Sequence, residues 1–304
     1  MLRQTYFYIG LILSLLLSFN AFAEKEIAVV YPDAPAPFNE IYKDIIEGVE
    51  EAYDGSIETF SLKKKDNPEK AVNWVKTTQP SAVIALGIKG YRTAKILNNE
   101  LPVLMGALPI RPNGLSGISL VPAPSKLFDS LQTLAPSVRK IHVVYSHRSA
   151  WTIPLAEAEA KRLGYGLHSI QVSTVKEALT AYDTLFKNFD EAHDALWIPL
   201  DPISGHEQVI VPNLLERSWE QNLILFSSKP AHVKRGALFS LYPDHKALGK
   251  SLVEMLATEK NLAEKPIVKP MINTQLAVNL RTAAHLGFEY KNQQKSQFHL
   301  TFPE

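Results

Sequence analysis

The chain has 304 residues, of which 32 are lysine or arginine and 31 are aspartate or glutamate, so its formal net charge is only +1. A chain this close to neutral has no long-range field to attract nucleic acid or anionic lipid, and no nucleic-acid partner is predicted. The absence of cysteine excludes disulfides, a thiol-linked lipid anchor and cysteine-based metal sites.

The first residues have the features of a secretory signal peptide. Arg3 supplies a positive charge, residues 8–19 form an apolar run, and residues 21–23 read Ala-Phe-Ala, a cleavage pattern. The run is shorter than the roughly 20 residues of a membrane-spanning helix, and no later stretch approaches that length. We expect cleavage after Ala23, which removes residues 1–23 and leaves a periplasmic chain that does not span the membrane. An uncleaved N-terminal anchor is the alternative.

From residue 27 onward, short apolar runs alternate with longer segments of helical period, as in stacked βαβ units. The predicted strands of this part are residues 27–31, 57–61, 82–86 and 103–105, and two predicted helices are residues 68–77 and 91–97. Another helix is predicted from one buried face that combines Phe38, Ile41, Tyr42, Ile45, Val49 and Tyr53. These elements together predict one parallel sheet covered on both faces.

The same alternation restarts after residue 120, which predicts a second α/β unit. Its expected helices are residues 125–134, 151–163, 175–186 and 207–219, followed by one whose shared face holds Leu248, Leu252, Met255 and Leu256. Its expected strands are residues 141–145, 167–172, 195–200, 223–226, 237–241 and 276–278. Pro212 either kinks its helix or marks the first turn. The predicted fold class is α/β, with two doubly wound parallel-sheet lobes.

Ligands of open α/β sheets bind beyond the carboxyl ends of the strands, and two facing lobes turn these edges into a cleft. The loops at those ends are residues 31–38, 87–90, 106–109, 146–151, 200–204 and 227–229. We therefore predict ligand contacts at nine residues of these loops, namely Tyr31, Gly87, Lys89, Gly106, Ser146, Trp151, Asp201, Ser227 and Ser228.

The C-terminal third carries a pattern of motifs in a fixed order. Residues 233–238 read Val-Lys-Arg-Gly-Ala-Leu, and they are followed by Tyr242, Asp244, Leu248-Gly249, Val278-Asn279-Leu280, Ala283-Ala284 and Leu286-Gly287. In order and spacing this resembles the C-terminal signature of ABC-transporter substrate-binding proteins of the tryptophan- and tyrosine-binding type. Residues 134–136 and 198–201 add weaker support, and the resemblance extends from Glu26 to about Glu289.

The resemblance implies a type I periplasmic-binding-protein fold with a multi-crossover hinge, whose three crossings fall near Leu120, Leu241 and Leu276. Residues 24–120 with 242–275 would form lobe one, residues 121–241 lobe two, and residues 276–304 the hinge return and C-terminal tail. It also implies that closure of the lobes traps a small solute, with an amino acid as the family-level expectation, for a membrane permease. A periplasmic protein that reports a solute to a membrane sensor, with a diverged or lost ligand site, is the alternative.

Several cleft loops depart from the family pattern. Residues 87–90 replace a Thr-Pro-Ala-Ala-like turn, residues 106–109 replace an Asp-Pro, and residues 146–151 replace an Asn-Pro…Asn-Ser turn. Asp201 is retained. It either meets a ligand ammonium, while Lys89 or Arg148 meets the carboxylate, or it caps the following helix.

The other candidates have structural alternatives of the same kind. Trp151 either stacks on a ligand or packs under its own turn, and Lys89 either enters the cleft or faces solvent. The glycines of these loops, Gly87, Gly90 and Gly106, serve either the ligand or backbone turns and close approaches. Ser227 and Ser228 donate either to a ligand or to nearby backbone. Phe38 fits the helix core, which leaves Tyr31 as the aromatic residue for the cleft.

No catalytic motif is complete. His206-Glu207 begins like a zinc-protease helix, but Ile210 stands where the second histidine belongs. Residues 87–95 lack the Gly-Lys-Ser/Thr ending of a P-loop, and no G-x-S-x-G elbow occurs. The sequence therefore predicts a binding protein and no enzyme, with no cofactor and no metal.

Overall fold

The computed structural model describes residues 26–303 and shows two α/β lobes, each built on its own sheet. The predicted signal peptide, residues 1–23, lies outside the described residues. Within the described part of the chain, no helix combines the length and apolarity needed to cross a membrane.

Six strands build the first sheet: β1 (Ile27–Pro32), β2 (Ile57–Leu62), β3 (Ala82–Leu86), β4 (Val103–Gly106), β5 (Ser116–Pro122) and β11 (Val268–Met271). Their order is β11-β5-β4-β3-β1-β2, and every neighbouring pair is parallel. The helices around this sheet are α1 (Phe38–Ala52), α2 (Pro68–Thr78), α3 (Gly87–Leu97) and α9 (His245–Thr258).

Alternation along β1 shows how the first lobe is layered. Ile27 and Val29 point into a core that contains the apolar faces of α1 and α9. Ala28 and Val30 point into the opposite core, which contains those of α2 and α3. Since successive strand residues face opposite sides, a strand covered on both faces must be apolar throughout. β3 follows this rule, because all five of its residues are buried.

Seven strands build the second sheet: β6 (Lys140–Tyr145), β7 (Gly166–Gln171), β8 (Asp194–Ile198), β9 (Ile224–Ser227), β10 (Phe239–Pro243), β12 (Thr274–Asn279) and β13 (Phe298–Phe302). Their order is β13-β12-β10-β9-β8-β6-β7, and only the β10–β12 pair is antiparallel. The longer helices are α4 (Pro124–Leu134), α5 (Ile153–Leu163), α6 (Val175–Phe186) and α7 (Ile210–Glu220). The short ones are α8 (Ala231–Arg235), α10 (Leu280–His285) and α11 (Asn292–Lys295). α4 and α5 cover one face of the sheet, and α6 and α7 cover the other.

The chain passes between the two sheets three times, from β5 to β6, from β10 to β11 and from β11 to β12. The predicted fold class is confirmed: two parallel-dominated α/β lobes are joined by several crossings. The sequence leaves open whether the segment after Tyr290 is a flexible end or docks on a lobe. It docks on the second lobe, because β13 pairs with β12 at the edge of that sheet.

Several boundaries differ from those predicted. Phe38 does not join the core of α1, since 61% of its surface is exposed at the first position of the helix. α3 begins at Gly87 rather than Tyr91, directly after β3. α7 begins at Ile210, so Pro212 lies in its first turn, where a missing backbone N–H costs no helical hydrogen bond.

Candidate functional site

A cleft of about 980 Å³ lies between the lobes, at the carboxyl ends of several strands of both sheets. The first lobe contributes the start of α3 and the loop after β4, and the second contributes the loops after β6, β8 and β9. This volume falls at the upper end of the roughly 300–1,000 Å³ of small-molecule pockets. The edge of the sheets predicted to hold the ligand is thus the edge where the cleft forms.

The floor of the cleft is aromatic and rigid. Trp197 in β8 is fully buried beneath it, with its ring edge-to-face against Phe128 at a centroid distance of 5.8 Å. Its indole N–H donates to the hydroxyl of Ser228 at 2.9 Å. Trp151 lies in a short 3₁₀ turn that precedes α5 and also lines the cleft. Trp151 offers flat apolar surface to a ligand, and Trp197 supports the floor from beneath.

Asp201, in the loop after β8, joins two loops of the second lobe. Its Oδ2 accepts from the backbone N–H of Ser146 at 2.9 Å, from the Ser146 hydroxyl at 2.7 Å and from the Ser149 hydroxyl at 2.5 Å. Its Oδ1 accepts from the backbone N–H groups of Ile203 at 2.8 Å and Ser204 at 3.0 Å. Burial raises the pKa of Asp201, but these hydrogen bonds outweigh it and lower the pKa below its ordinary value. The carboxylate is therefore charged and occupied from within the protein.

Glu207, at the rim of the cleft, holds three basic side chains together. Its Oε1 accepts from the amine of Lys229 at 2.6 Å and from Nε2 of His232 at 3.0 Å, and its Oε2 accepts from Arg235 at 2.9 Å. Burial raises the pKa of Glu207, but the bonds and charges of Lys229 and His232 outweigh it and lower the pKa to about 2. A carboxylate surrounded in this way has little capacity left for a cationic ligand.

His232 is the buried member of this cluster. Burial lowers its pKa, and although Glu207 opposes the shift, burial dominates, so the ring is neutral near pH 7. Its Nε2–H then donates to Glu207, and its Nδ1 accepts from the hydroxyl of Ser227 at 2.7 Å. Ser227 in turn accepts from the backbone N–H of Lys229 at 3.0 Å. The chain of contacts fixes the loop after β9.

Two arginines of the cleft differ from these groups. Arg111 reaches it from the first lobe and Arg148 from the second, and both residues are exposed. Within residues 26–303, neither guanidinium makes a hydrogen bond or an ion pair to another residue. His206 also lines the cleft, with its Nδ1 buried and without a hydrogen-bond partner among the described residues.

The structure brings some of the nine predicted residues to the cleft and leaves others behind it. Trp151, Asp201 and Ser228 line it. Ser146 and Ser227 are buried one layer back, where their hydroxyls bond to Asp201 and His232. Ligand contact by these two serines stays a prediction.

The candidates of the first lobe lie outside the cleft lining. The amine of Lys89 bonds to the backbone carbonyls of Lys63 and Asp66, which joins α3 to the loop before α2. Gly87 has a φ of +65°, and a Cβ there would lie 2.7 Å from the hydroxyl of Tyr42. Tyr31 also packs toward Tyr42, with ring centroids 6.1 Å apart, and Gly106 packs against Leu252. Direct ligand contact by these four residues stays a prediction.

Five further residues line the cleft but are not among the nine predicted ligand contacts: Tyr91, Arg111, Trp197, His206 and Glu207. Trp197 looks like a core residue because its strand is apolar throughout. Glu207 was read only as part of an incomplete zinc motif. A search for charged residues one or two positions beyond each predicted loop would have found Arg111.

The sequence profile of the ABC transporter substrate binding protein family matches residues 38–296, which is most of the chain. The chain belongs to this family. The resemblance seen in the C-terminal motifs is thereby confirmed. Comparison with curated proteins finds no match.

Solved structures share the fold of this substrate-binding protein. One is an ABC domain in complex with L-Trp from Streptococcus pneumonia, with 18% identity and a TM-score of 0.53, covering 92% of this chain and 100% of that one. Another is a ligand-free, open substrate-binding protein with adhesive properties from Clostridium difficile, with 16% identity and a TM-score of 0.61, covering 91% and 99%. A conserved domain protein from Vibrio cholerae has 16% identity and a TM-score of 0.51, covering 91% and 99%. At these identities the likeness shows the fold alone.

Proposed function

We propose that this protein captures a small solute in the cleft between its lobes and delivers it, in the periplasm, to the membrane permease of an ABC importer. The observation that carries the proposal is the cleft itself, which both lobes line and whose floor is aromatic. A ligand that contacts both lobes stabilises the closed arrangement, because only that arrangement makes all the contacts at once.

The moving parts in this proposal are residues 24–120 with 242–275 on one side and residues 121–241 on the other, with residues 276–304 as the hinge return and tail. The three connections between the sheets act as the hinge. Ligand contact is proposed for Trp151 and Ser228, while Asp201 and Ser146 support the loop that carries the site.

The solute class follows in part from the fold neighbour whose structure holds L-Trp. The cleft has the volume and the aromatic surface for an amino acid or a related molecule of that size. We propose a ligand with an aromatic or aliphatic body that stacks on Trp151.

A thermal-shift screen of the purified protein against amino acids, small peptides, nucleosides and organic acids tests solute capture. A ligand that binds only the folded state adds about 2.7 kcal/mol to the free energy of unfolding at a concentration one hundred times its Kd. The melting temperature rises as a result. We expect at least one class to do so, and we expect Trp151→Ala to reduce the shift. If no class of small molecule raises the melting temperature, solute capture is wrong.

Reporting of a solute to a membrane sensor uses the same cleft. The departures of the cleft loops from the family pattern, together with the internal bonding of Asp201, favour this second candidate. Uptake of the labelled solute distinguishes the two, since loss of the gene abolishes uptake only if the protein serves an importer.

A further inference from the structure

We propose that the solute of this cleft is an apolar or aromatic carboxylate rather than a zwitterionic amino acid, with Arg148 as the principal anchor of its anionic group. This inference rests on the proposed capture of a solute and adds its chemical class. The reason is that the carboxylates of the cleft are bonded within the protein, whereas two arginines are not.

An amino-acid ligand brings an ammonium group, which needs an anionic or strongly accepting partner once it leaves water. Among the described residues that line the cleft, only Asp201 and Glu207 carry a carboxylate. A ligand ammonium could bind to either carboxylate only through an oxygen lone pair that the protein leaves free.

Asp201 has none. A carboxylate offers about four lone-pair positions, and its two oxygens already accept bonds from Ser146, Ser149, Ile203 and Ser204. Only 4% of the residue surface is exposed, so an ammonium group could approach it only by displacing this network.

Glu207 is no better placed. Lys229 and His232 occupy one oxygen and Arg235 the other, so a ligand ammonium would meet two positive side chains beside the carboxylate it sought. Coulomb repulsion from Lys229 and Arg235 offsets the attraction of Glu207. The cleft thus has no carboxylate available for a cation.

Positive groups, in contrast, are available. Arg148 and Arg111 face the cleft from opposite lobes, and neither is engaged by another residue within residues 26–303. A guanidinium presents a planar pair of donors that matches a carboxylate in two parallel hydrogen bonds. Lys229 is already held by Glu207, which leaves the two arginines as the groups for an anion.

Arg148 is the better positioned of the two. Its backbone N–H donates to the Ser146 hydroxyl at 3.2 Å, and Asp201 binds both Ser146 and Ser149 on either side of it. The loop is therefore fixed before a ligand arrives, which reduces the entropy lost on binding. Arg111 lies among exposed residues after β4 and would join the anion only as the lobes close.

The rest of the lining fits an uncharged, apolar body. Tyr91, Leu108 and Ile110 face the cleft from the first lobe, and Trp151, Trp197 and Leu200 face it from the second. A ligand with one carboxylate and a ring or aliphatic chain would satisfy the free guanidinium and cover these side chains. An α-ammonium on the same ligand would leave water without a free carboxylate to meet it in this lining.

Matched ligand triples test this proposal by calorimetric titration of the purified protein near pH 7.5. Each triple keeps one body, indole, phenyl or a branched aliphatic chain, and carries a carboxylate alone, the full amino-acid group, or an amine alone. One such triple is indole-3-propionate, L-tryptophan and tryptamine. We expect the best carboxylate to bind at least tenfold more tightly than its amino-acid counterpart, and the amines not to bind measurably.

Variants locate the anchor. Arg148→Gln should raise the Kd of the best carboxylate at least tenfold, Arg148→Lys should raise it less because the charge is kept, and Arg111→Gln should have a smaller effect than Arg148→Gln. Arg92→Gln is the matched control, since Arg92 is an exposed arginine of α3 outside the cleft lining. This variant should bind the best carboxylate with a Kd within twofold of the native value.

The outcomes separate this inference from solute capture. If the amino acid or the amine is the tightest member of its triple, or if Arg148→Gln leaves the Kd unchanged, the carboxylate assignment is wrong and solute capture stands. If only uncharged solutes such as nucleosides bind, the same holds. If nothing in the panel or in the wider thermal-shift screen binds, both proposals fail together.

Discussion

Asp201 shows how one buried carboxylate can join two loops of the cleft. The loop after β6 and the loop after β8 both converge on its two oxygens, and the hydroxyls of Ser146 and Ser149 are held there. The bonds of Asp201 to Ile203 and Ser204 cap the turn that follows it. The sequence-based alternative was the cap of the following helix, which begins only at Ile210.

Asp201→Asn should therefore lower the free energy of unfolding by about 2–3 kcal/mol, because an amide NH₂ would face N–H and O–H donors in a buried site. Urea denaturation measures the loss. Asp183→Asn, at an exposed aspartate whose side chain pairs with Arg217, is the control and should cost less than about 1 kcal/mol. Unchanged stability with lost ligand affinity would instead indicate that Asp201 contacts the ligand.

His232 gives the stability of the protein a dependence on pH. Its pKa in the folded protein is lowered by burial, so below about pH 6.5 the unfolded chain binds a proton that the folded protein does not. Stability is complete above that pH and falls as the pH drops toward the lowered pKa. Burial also lowers the pKa of His142 and the pKa of His245.

We expect the free energy of unfolding to decrease between pH 7 and pH 5, and we expect His232→Gln to reduce the slope of that decrease. A slope that His232→Gln does not alter would mean that His232 is not the titrating group.

At the residue scale, the sequence predicted the cleft loops more reliably than the side chains within them. Trp151 and Ser228 were predictable as cleft residues because Ser228 directly follows β9 and Trp151 ends the loop after β6. Lys89 lies in the first turn of α3, which begins at Gly87, and its amine bonds to the carbonyl of Lys63. Helix phase within a loop depends on tertiary contacts that a single sequence does not reveal.

At the scale of the elements, α1 and α9 form the closest helix pair of the first lobe. A Cβ on Gly249 would lie 2.0 Å from the carbonyl oxygen of Ile45, and a Cβ on Gly48 would lie 1.9 Å from that of Lys246. Both helices therefore need glycine where their backbones meet. Gly249 was noticed in the sequence as part of the family signature, and the structure supplies a packing reason for it.

Gly249→Ala should destabilise the protein by about 3 kcal/mol or more, since the added methyl group meets backbone atoms that cannot move independently. Gly166→Ala is the control, because its Cβ would lie 3.4 Å from the flexible side chain of Lys140. Thermal unfolding followed by circular dichroism compares the two. Equal melting temperatures for Gly249→Ala and the native protein would contradict the close helix contact.

The long elements were predictable from periodicity, and the short ones were not. Residues 175–186 form α6 with the predicted bounds, because their apolar spacing and the cap at Thr174 agree. β11 and β13 were missed, since both are partly exposed edge strands without a continuous apolar run. The position of β11 is set by pairing with β5, which is distant in the sequence. The position of β13 is set by pairing with β12, where the register shifts.

At the scale of the whole molecule, the order of motifs predicted more than any single residue did. Two runs of alternating strands and helices predicted two sheets, and the returning motifs near residues 278–287 predicted a C-terminal segment that rejoins the body. The structure places β12 and β13 in the second sheet, and the profile match over residues 38–296 agrees in extent. The C-terminal motifs lie outside the cleft loops, so they identify the family and not the ligand.

Closure of the lobes around a solute is the central claim, and the absence of cysteine makes it directly measurable. Spin labels on Lys95→Cys in α3 and Val209→Cys beside α7 span the two lobes, and labels on Lys95→Cys and Glu69→Cys, both on the first lobe, form the control pair. The account predicts that saturation with the tightest ligand shortens the distance between the lobes and leaves the control distance unchanged. A bound protein whose inter-lobe distance does not change would contradict capture by closure.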